Sequence, residues 1–321
     1  LTAVAPRLVL TATTAQLRAL IAVVEAQNFT IAARRLGLAQ PTVHRAIALL
    51  ESEAGRPLFD RAPHGTVAIR ATQALGLAAR LALTELDQAS ADLAELDGRT
   101  EGQIVIGALP LSRSALLPRT LAAFRARRPL QGITVIDGIY DELLGYLRRG
   151  EIDFMIGAMR DPLPIRDVVQ DAWYHDGMSV VAGLGHPLVG QGPVPLSRLA
   201  DFPWVVARRG TPARDQFDDR IARHLPRLPV IETGSVLLMR GLLQDNLHLG
   251  CVSSGQAAPE IAAGQMIALE TGIDWPGRPI GMTTRTDWLP TTAQTDMLDI
   301  CRKTASLLPG GLQREDAPYL L

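Results

Sequence analysis

From Asn28 to Arg61 the chain reads NFTIAARRLGLAQPTVHRAIALLESEAGRPLFDR, and this stretch decides the first domain. Thr30 offers a capping hydroxyl for a short helix through Ala32, Ala33 and Leu36. Gly37 stands where a left-handed residue ends such a helix, leaving Gly37, Leu38 and Ala39 as the turn. The next helix starts at Gln40 with Pro41 in its first turn, where a missing N–H costs nothing. Val43, Ile47 and Leu50 then recur at i, i+4 and i+7 and face inward, so Gln40, Thr42, His44 and Arg45 project outward from the first turns. Base edges and phosphates meet a recognition helix at that position. The same spacing also suits a small bundle with an ordinary polar face.

Working outward, Leu17, Leu20, Ile21 and Val24 form the apolar stripe of a preceding helix that begins after Thr13 or Thr14. On the other side, Pro57, Leu58 and Phe59 read as a buried anchor. Asp60 to Thr66 read as a tight turn, and Val67 to Ile69 as a short strand. This is the pattern of a wing, with Arg61 and His64 placed for phosphate or minor-groove contact. Charge agrees with it: residues 1–70 hold eight arginines against four acidic residues, while the whole chain has a formal net charge of −1. A basic head on an acidic body suits a protein that grips a polyanion at one end only.

The quoted stretch closely resembles the winged helix-turn-helix of LysR-type transcriptional regulators. The resemblance implies that Gln40, Pro41, His44 and Arg45 face the major groove and that Arg61 holds the backbone. Two positions depart from the family pattern. Ala39 replaces the usual serine before Gln40, removing a cap worth about 1 kcal/mol, and Ala68, Ile69 and Arg70 replace the usual Leu-Thr after the wing.

Beyond the head, Leu75, Ala79, Ala82, Leu86, Ala89, Leu93 and Leu96 recur in alternating steps of four and three. That is a coiled-coil seam, with alanines that let two backbones approach closely. An amphipathic helix lying on its own domain is the competing reading. The family resemblance implies pairing through this linker, so that two heads read the half-sites of an inverted repeat.

After residue 98 the pattern becomes β-α-β-α-β, with strands near Ile104, Ile133 and Asp153 and helices through Leu116–Phe124 and Glu142–Arg149. Further alternation runs to a terminal helix, Thr291 to Leu308. The expected fold is therefore an all-α winged head, a long linker helix and a two-lobed α/β body. Its divisions fall at residues 1–70, 71–98 and 99–308, with a tail over 309–321. The body resembles the periplasmic-binding-protein-like (type 2) effector domain of the same family. A cleft between two such lobes gathers strand ends and helix N-termini, where small ligands bind. Candidate effector contacts come from three loops rich in hydroxyls: Pro110, Leu111, Ser112 and Arg113; Arg209 and Thr211; and Ser235. Each hydroxyl serves equally well as a plain N-cap. GALPLSRSALLPRTLAAFRARRP, YDELLGYLRRGEIDFMIGAMRD and PIGMTTRTDWLPT resemble the subgroup of the galactose-binding-protein regulator, which implies a monosaccharide or related catabolite. A small carboxylate is the alternative, paired by Arg113, Arg160 or Arg209.

The remaining classes find little support. Cys251 and Cys301 have no partner spacing for zinc or a disulfide, no cofactor motif is present, and no apolar run is long enough to cross a bilayer. HExxH, P-loop, GxSxG and GxGxxG signatures are absent, and His175, His186, His224 and His248 read as isolated surface or loop residues. Ser253, Ser254 and Gly255 read as a helix cap better than as a nucleophile turn. A free-standing solute-binding protein shares the body, but residues 1–12 show no export signal and the basic head argues against it. The sequence is thus read as a cytoplasmic, non-enzymatic DNA-binding regulator. Its partners are operator DNA, a small effector, a second copy of itself as dimer or dimer of dimers, and RNA polymerase, with no membrane among them.

Overall fold

The computed structural model describes residues 11–62, 65–99, 102–160, 167–225 and 227–310. They form two compact units that meet at Gly102 and Gln103.

In the first unit, α1 (Thr14–Ala26) opens with a capping box: Thr13 Oγ1 accepts from the Gln16 amide, and the Thr13 amide donates to Gln16 Oε1. α2 (Phe29–Leu36) is capped by Asn28, whose Oδ1 accepts from the amides of Thr30 and Ile31 at 2.9 and 3.0 Å. This corrects the expected Thr30 cap: the amide oxygen two residues earlier reaches the free N–H groups and releases the Thr30 hydroxyl. Gly37 ends α2 at φ +66°. α3 (Gln40–Ala54) starts at Ala39 without a side-chain cap. Leu20, Val23, Ala32, Val43, Ile47, Leu50 and Leu58 close the core between the three helices. Trimming Leu50 to alanine there costs about 2–5 kcal/mol.

The wing is a hairpin of β1 (Phe59–Ala62) and β2 (Gly65–Ala68), paired antiparallel with Phe59 opposite Ala68 and Arg61 opposite Thr66. The expected turn over Asp60 to Thr66 is therefore mostly strand. His64, at its tip, lies outside the described residues. A Cβ on Gly65 would sit 2.5 Å from the Gln27 carbonyl oxygen, to which the Thr66 amide donates at 3.0 Å. Glycine is thus required where the wing is stapled to the end of α1.

α4 (Arg70–Leu96) buries Thr72, Gly76, Ala79 and Leu83, and Leu75 packs against this core. The Thr72 hydroxyl donates to the Leu58 carbonyl at 2.7 Å, and Gly76 packs on Val24. Arg80 pairs with Glu25, and Arg18 with Asp87 at 3.5 Å. The expected seam divides here. Leu75 and Ala79 are absorbed by the unit's own core, whereas Ala82, Leu86, Ala89, Leu93 and Leu96 are exposed.

The second unit has two lobes. Lobe I contains β3 (Gln103–Ala108), a 3₁₀ turn (Pro110–Arg113), α5 (Leu116–Arg127), β4 (Gly132–Asp137), α6 (Tyr140–Arg148), β5 (Phe154–Ala158) and β6 (Val168–Asp176). Lobe II contains β7 (Met178–Ala182), α7 (Leu196–Leu199), β8 (Trp204–Val206), α8 (Pro212–Phe217), β9 (Val230–Glu232), α9 (Val236–Leu243), β10 (Leu249–Ser253), α10 (Ser254–Ala262) and β11 (Ile267–Ala268). The chain then returns to lobe I as β12 (Arg278–Arg285) and α11 (Thr292–Ser306). The sheets run β4-β3-β5-β12-β6 and β11-β7-β10-β8-β9. Both are mixed. β3, β4 and β5 are parallel in one and β8, β9 and β10 in the other, while the crossing strands enter antiparallel. β6, α7 and β11 escape the sequence reading, and α8 stops at Phe217 and continues as a π-type turn. Phe124, Phe154, Trp173 and Met297 fill lobe I, and Trp204, Phe217 and Ile221 fill lobe II.

Candidate nucleic-acid interface and effector cleft

On the first unit, Gln40, Pro41, Thr42, His44 and Arg45 are all exposed at the N-terminal end of α3. The first turn of α3 carries no acidic residue, so the positive end of its dipole is unopposed. No ion pair among the described residues engages Arg45. The His44 imidazole stacks on Phe29 with centroids 3.9 Å apart and planes 10° from parallel, and Phe29 meets Phe59 of the wing edge-on. Gln40 sits between two partners: its Oε1 accepts from Thr30 Oγ1 at 3.2 Å, and its Nε2 lies 3.3 Å from His44 Nε2. Arg61 occupies β1, opposite Thr66.

In the body, the hydroxyls named from sequence are engaged internally. Ser112 is buried and donates to the Leu109 carbonyl at 2.8 Å. Thr211 caps α8 by accepting from the Arg214 amide, and Ser235 caps α9 by accepting from the Leu238 amide. Two of the arginines are neutralised, Arg113 by Asp137 at 2.7 Å and Arg209 by Glu232 at 3.3 Å. Arg160 lies over the Tyr140 ring and reaches to 3.5 Å of the Gly210 carbonyl oxygen, which joins lobe I to the loop before α8. Pro110 opens the 3₁₀ turn, and buried Leu111 from that turn packs close to Gly255 at the start of α10. Arg160 with Gly210 and Leu111 with Gly255 thus bring the strand ends of the two lobes together.

Beside Gly255 lies a buried charged group that the sequence reading missed. Asp176, the last residue of β6, accepts from the Ser253 hydroxyl and from the Gly255 amide at 2.9 Å, so its lone pairs are directed to lobe II. Arg278 faces it from β12, with Nη2 3.5 Å from Oδ2, while Nε and Nη2 are buried without a hydrogen-bond acceptor. Burial raises the Asp176 carboxyl above the usual range against the opposing pull of Ser253, Gly255 and Arg278, and burial lowers the Arg278 guanidinium. The expected cap at Ser253 and Ser254 is corrected accordingly: Ser253 bonds Asp176, and Ser254 bonds Ser179 at 2.8 Å. An arginine opening the apolar strand Arg278–Arg285 was the one signal in the sequence. His186 lies in a loop, as expected, but not at the surface. It is buried on Phe202, its Nδ1 accepts from the Leu188 amide, and burial lowers its pKa. Among the described residues no cluster of three or more His, Cys, Asp or Glu side chains is placed to hold a metal, and no helix is long and apolar enough to cross a membrane.

Residues 14–74 match the family of bacterial regulatory helix-turn-helix proteins of the lysR type, and residues 97–306 match the LysR substrate binding domain. The chain belongs to the LysR family of transcriptional regulators. A LysR-family relative, the HTH-type transcriptional regulator GalR of Pseudomonas putida, is 32% identical over 290 residues, covering 90% of this chain and 73% of its own. Among solved structures, ArgP from Mycobacterium tuberculosis superposes with a TM-score of 0.67 at 22% identity, covering 92% of this chain and 98% of that one. Full-length CbnR, solved in complex with its target DNA, gives 0.61 at 20% identity, covering 91% and 99%. This LysR regulator therefore couples a DNA-binding head to an effector-binding body.

Proposed function

We propose that the regulator grips operator DNA through Gln40, Pro41, Thr42, His44 and Arg45, with Arg61 and His64 of the wing on the backbone. The observation that carries this reading is the exposed, acid-free first turn of α3, held on a core that fixes its direction. In the cytoplasm, two heads paired through Ala82, Leu86, Ala89, Leu93 and Leu96 present two such helices to an inverted repeat. Dimers of these dimers, and contact with RNA polymerase, extend the same reading. The body binds a small effector between its lobes, near the loops holding Pro110–Arg113, Arg160, Arg209, Thr211 and Ser235. Its closure biases the spacing of the paired heads by a coupling on the order of 1–3 kcal/mol.

Of the two effector classes, the Arg278 Nε, buried without a hydrogen-bond acceptor, favours an oxygen-rich anion over a neutral sugar. A thermal-shift screen of sugars, sugar acids and aromatic acids tests this, because a true effector raises the melting temperature by mass action. Stabilisation by neutral sugars alone contradicts the anionic class. For the head, Arg45→Ala is expected to weaken binding to an operator selected from random duplexes by about tenfold or more while leaving the effector's thermal shift intact. Wild-type affinity in that variant contradicts the placement of the recognition helix.

A further inference from the structure

We infer that Thr30 and His44 are positioning residues that set the base preference of the head by fixing the amide of Gln40. The inference rests on the proposed groove-facing role of Gln40 and adds what orients that side chain.

A glutamine amide carries an acceptor and a donor on one plane, and a freely rotating amide presents them in either order. Here both ends of the amide are held, in an order that the His44 tautomer sets. The Thr30 hydroxyl donates to Oε1, and Nε2 faces His44 Nε2. The amide nitrogen is a donor only, so this order goes with the His44 tautomer that carries its hydrogen on Nδ1; the other tautomer turns the amide over, with Nε2 donating to the Thr30 hydroxyl. Stacking on Phe29 holds the plane of the ring. Thr30 is free for this task because Asn28 caps α2 in its place. The grip therefore involves two helices, with Phe29 and Thr30 from α2 and Gln40 and His44 from α3.

Each amide atom keeps one valence unused: the second lone pair of Oε1 and the second hydrogen of Nε2. Adenine offers the matching pair in the major groove, N6–H₂ as donor and N7 as acceptor, and no other base presents that order. An amide locked in one orientation favours an A·T pair in one direction and rejects the reverse. A mobile amide accepts both.

The test is selection of binding sites from a random duplex library by the full chain and by variants, together with melting temperatures and binding to an unselected duplex. His44→Phe keeps the stack and removes the acceptor. Thr30→Val removes the donor at constant shape, and Thr30→Ser restores it. The expected result is that H44F and T30V lose preference at one base pair per half-site by about tenfold, that T30S retains it, and that T30V keeps the wild-type melting temperature and non-specific binding. Wild-type preference in H44F and T30V overturns the inference, as does a uniform loss across all positions. Gln40→Ala separates the two levels. If Q40A leaves every position unchanged, the groove-facing role of Gln40 fails. If Q40A alone relaxes a position, that role stands and the positioning by Thr30 and His44 fails.

Discussion

Arg278 and Asp176 lie opposite one another where β12 and β6 cross between the lobes, with Nη2 3.5 Å from Oδ2 and side chains 11% and 6% exposed. The aspartate accepts from Ser253 and Gly255, whereas Nε and Nη2 of the arginine make no hydrogen bond, so the pair is held mainly by charge. Removing one member of such a pair strands a buried charge, at a cost of about 3–5 kcal/mol. Arg278→Met and Asp176→Asn are each expected to destabilise the body by that amount, and the double variant to regain most of it. Equilibrium denaturation read by tryptophan fluorescence checks this; additive losses in the double variant would show the two residues to be uncoupled.

The exposed part of the α4 seam predicts a failure of assembly without a failure of folding. Leu86 and Leu93 are 57% and 66% exposed in the lone chain, so charges placed there meet water in the monomer and each other in a pair. Leu86→Glu with Leu93→Glu is expected to halve the mass seen by light scattering while leaving the circular dichroism spectrum unchanged.

His186 sets an acid limit on stability. Burial lowers its pKa in the folded chain, whereas in the unfolded chain it titrates near the ordinary value of about 6.5. The unfolded state therefore binds a proton first, and stability falls as pH drops below about 6.5 until the folded pKa is reached. Melting curves at pH 5 to 8 should show this slope for the wild type and a reduced slope for His186→Gln.

The cysteines are expected to be silent in redox assays. Cys251 and Cys301 are fully buried, and burial pushes both thiols up, that of Cys301 to about 12. A thiolate is the reactive form. Ellman's reagent should therefore label neither residue in the native protein and both after denaturation, and fast native labelling of either would show an opening that the packed structure lacks.

Several of these features were legible as local pattern. Val43, Ile47 and Leu50 announced the buried face of α3, and Gly37 its preceding turn, because both follow from a period of 3.6 and a positive φ. The choice between Asn28 and Thr30 as cap was not legible, since both side chains suit the role and lie two residues apart. The seam of α4 was visible as a period. Its division was not, because the same alternation serves a helix on its own core and a helix on a partner, and only the position of α1 decides that Ala79 is covered while Leu86 is bare.

Sequence alone determined the winged head, the outward first turn of α3, the linker helix and the alternating α/β body. Each is encoded by residues within one or two turns or strands of each other. Tertiary structure alone decided that Thr30 holds Gln40, that Ser112, Thr211 and Ser235 spend their oxygens internally, and that Asp176 meets Ser253 and Arg278. The physical reason is register: Ser253 lies 77 residues from Asp176, and their meeting depends on how two strands cross between lobes, which no local period records.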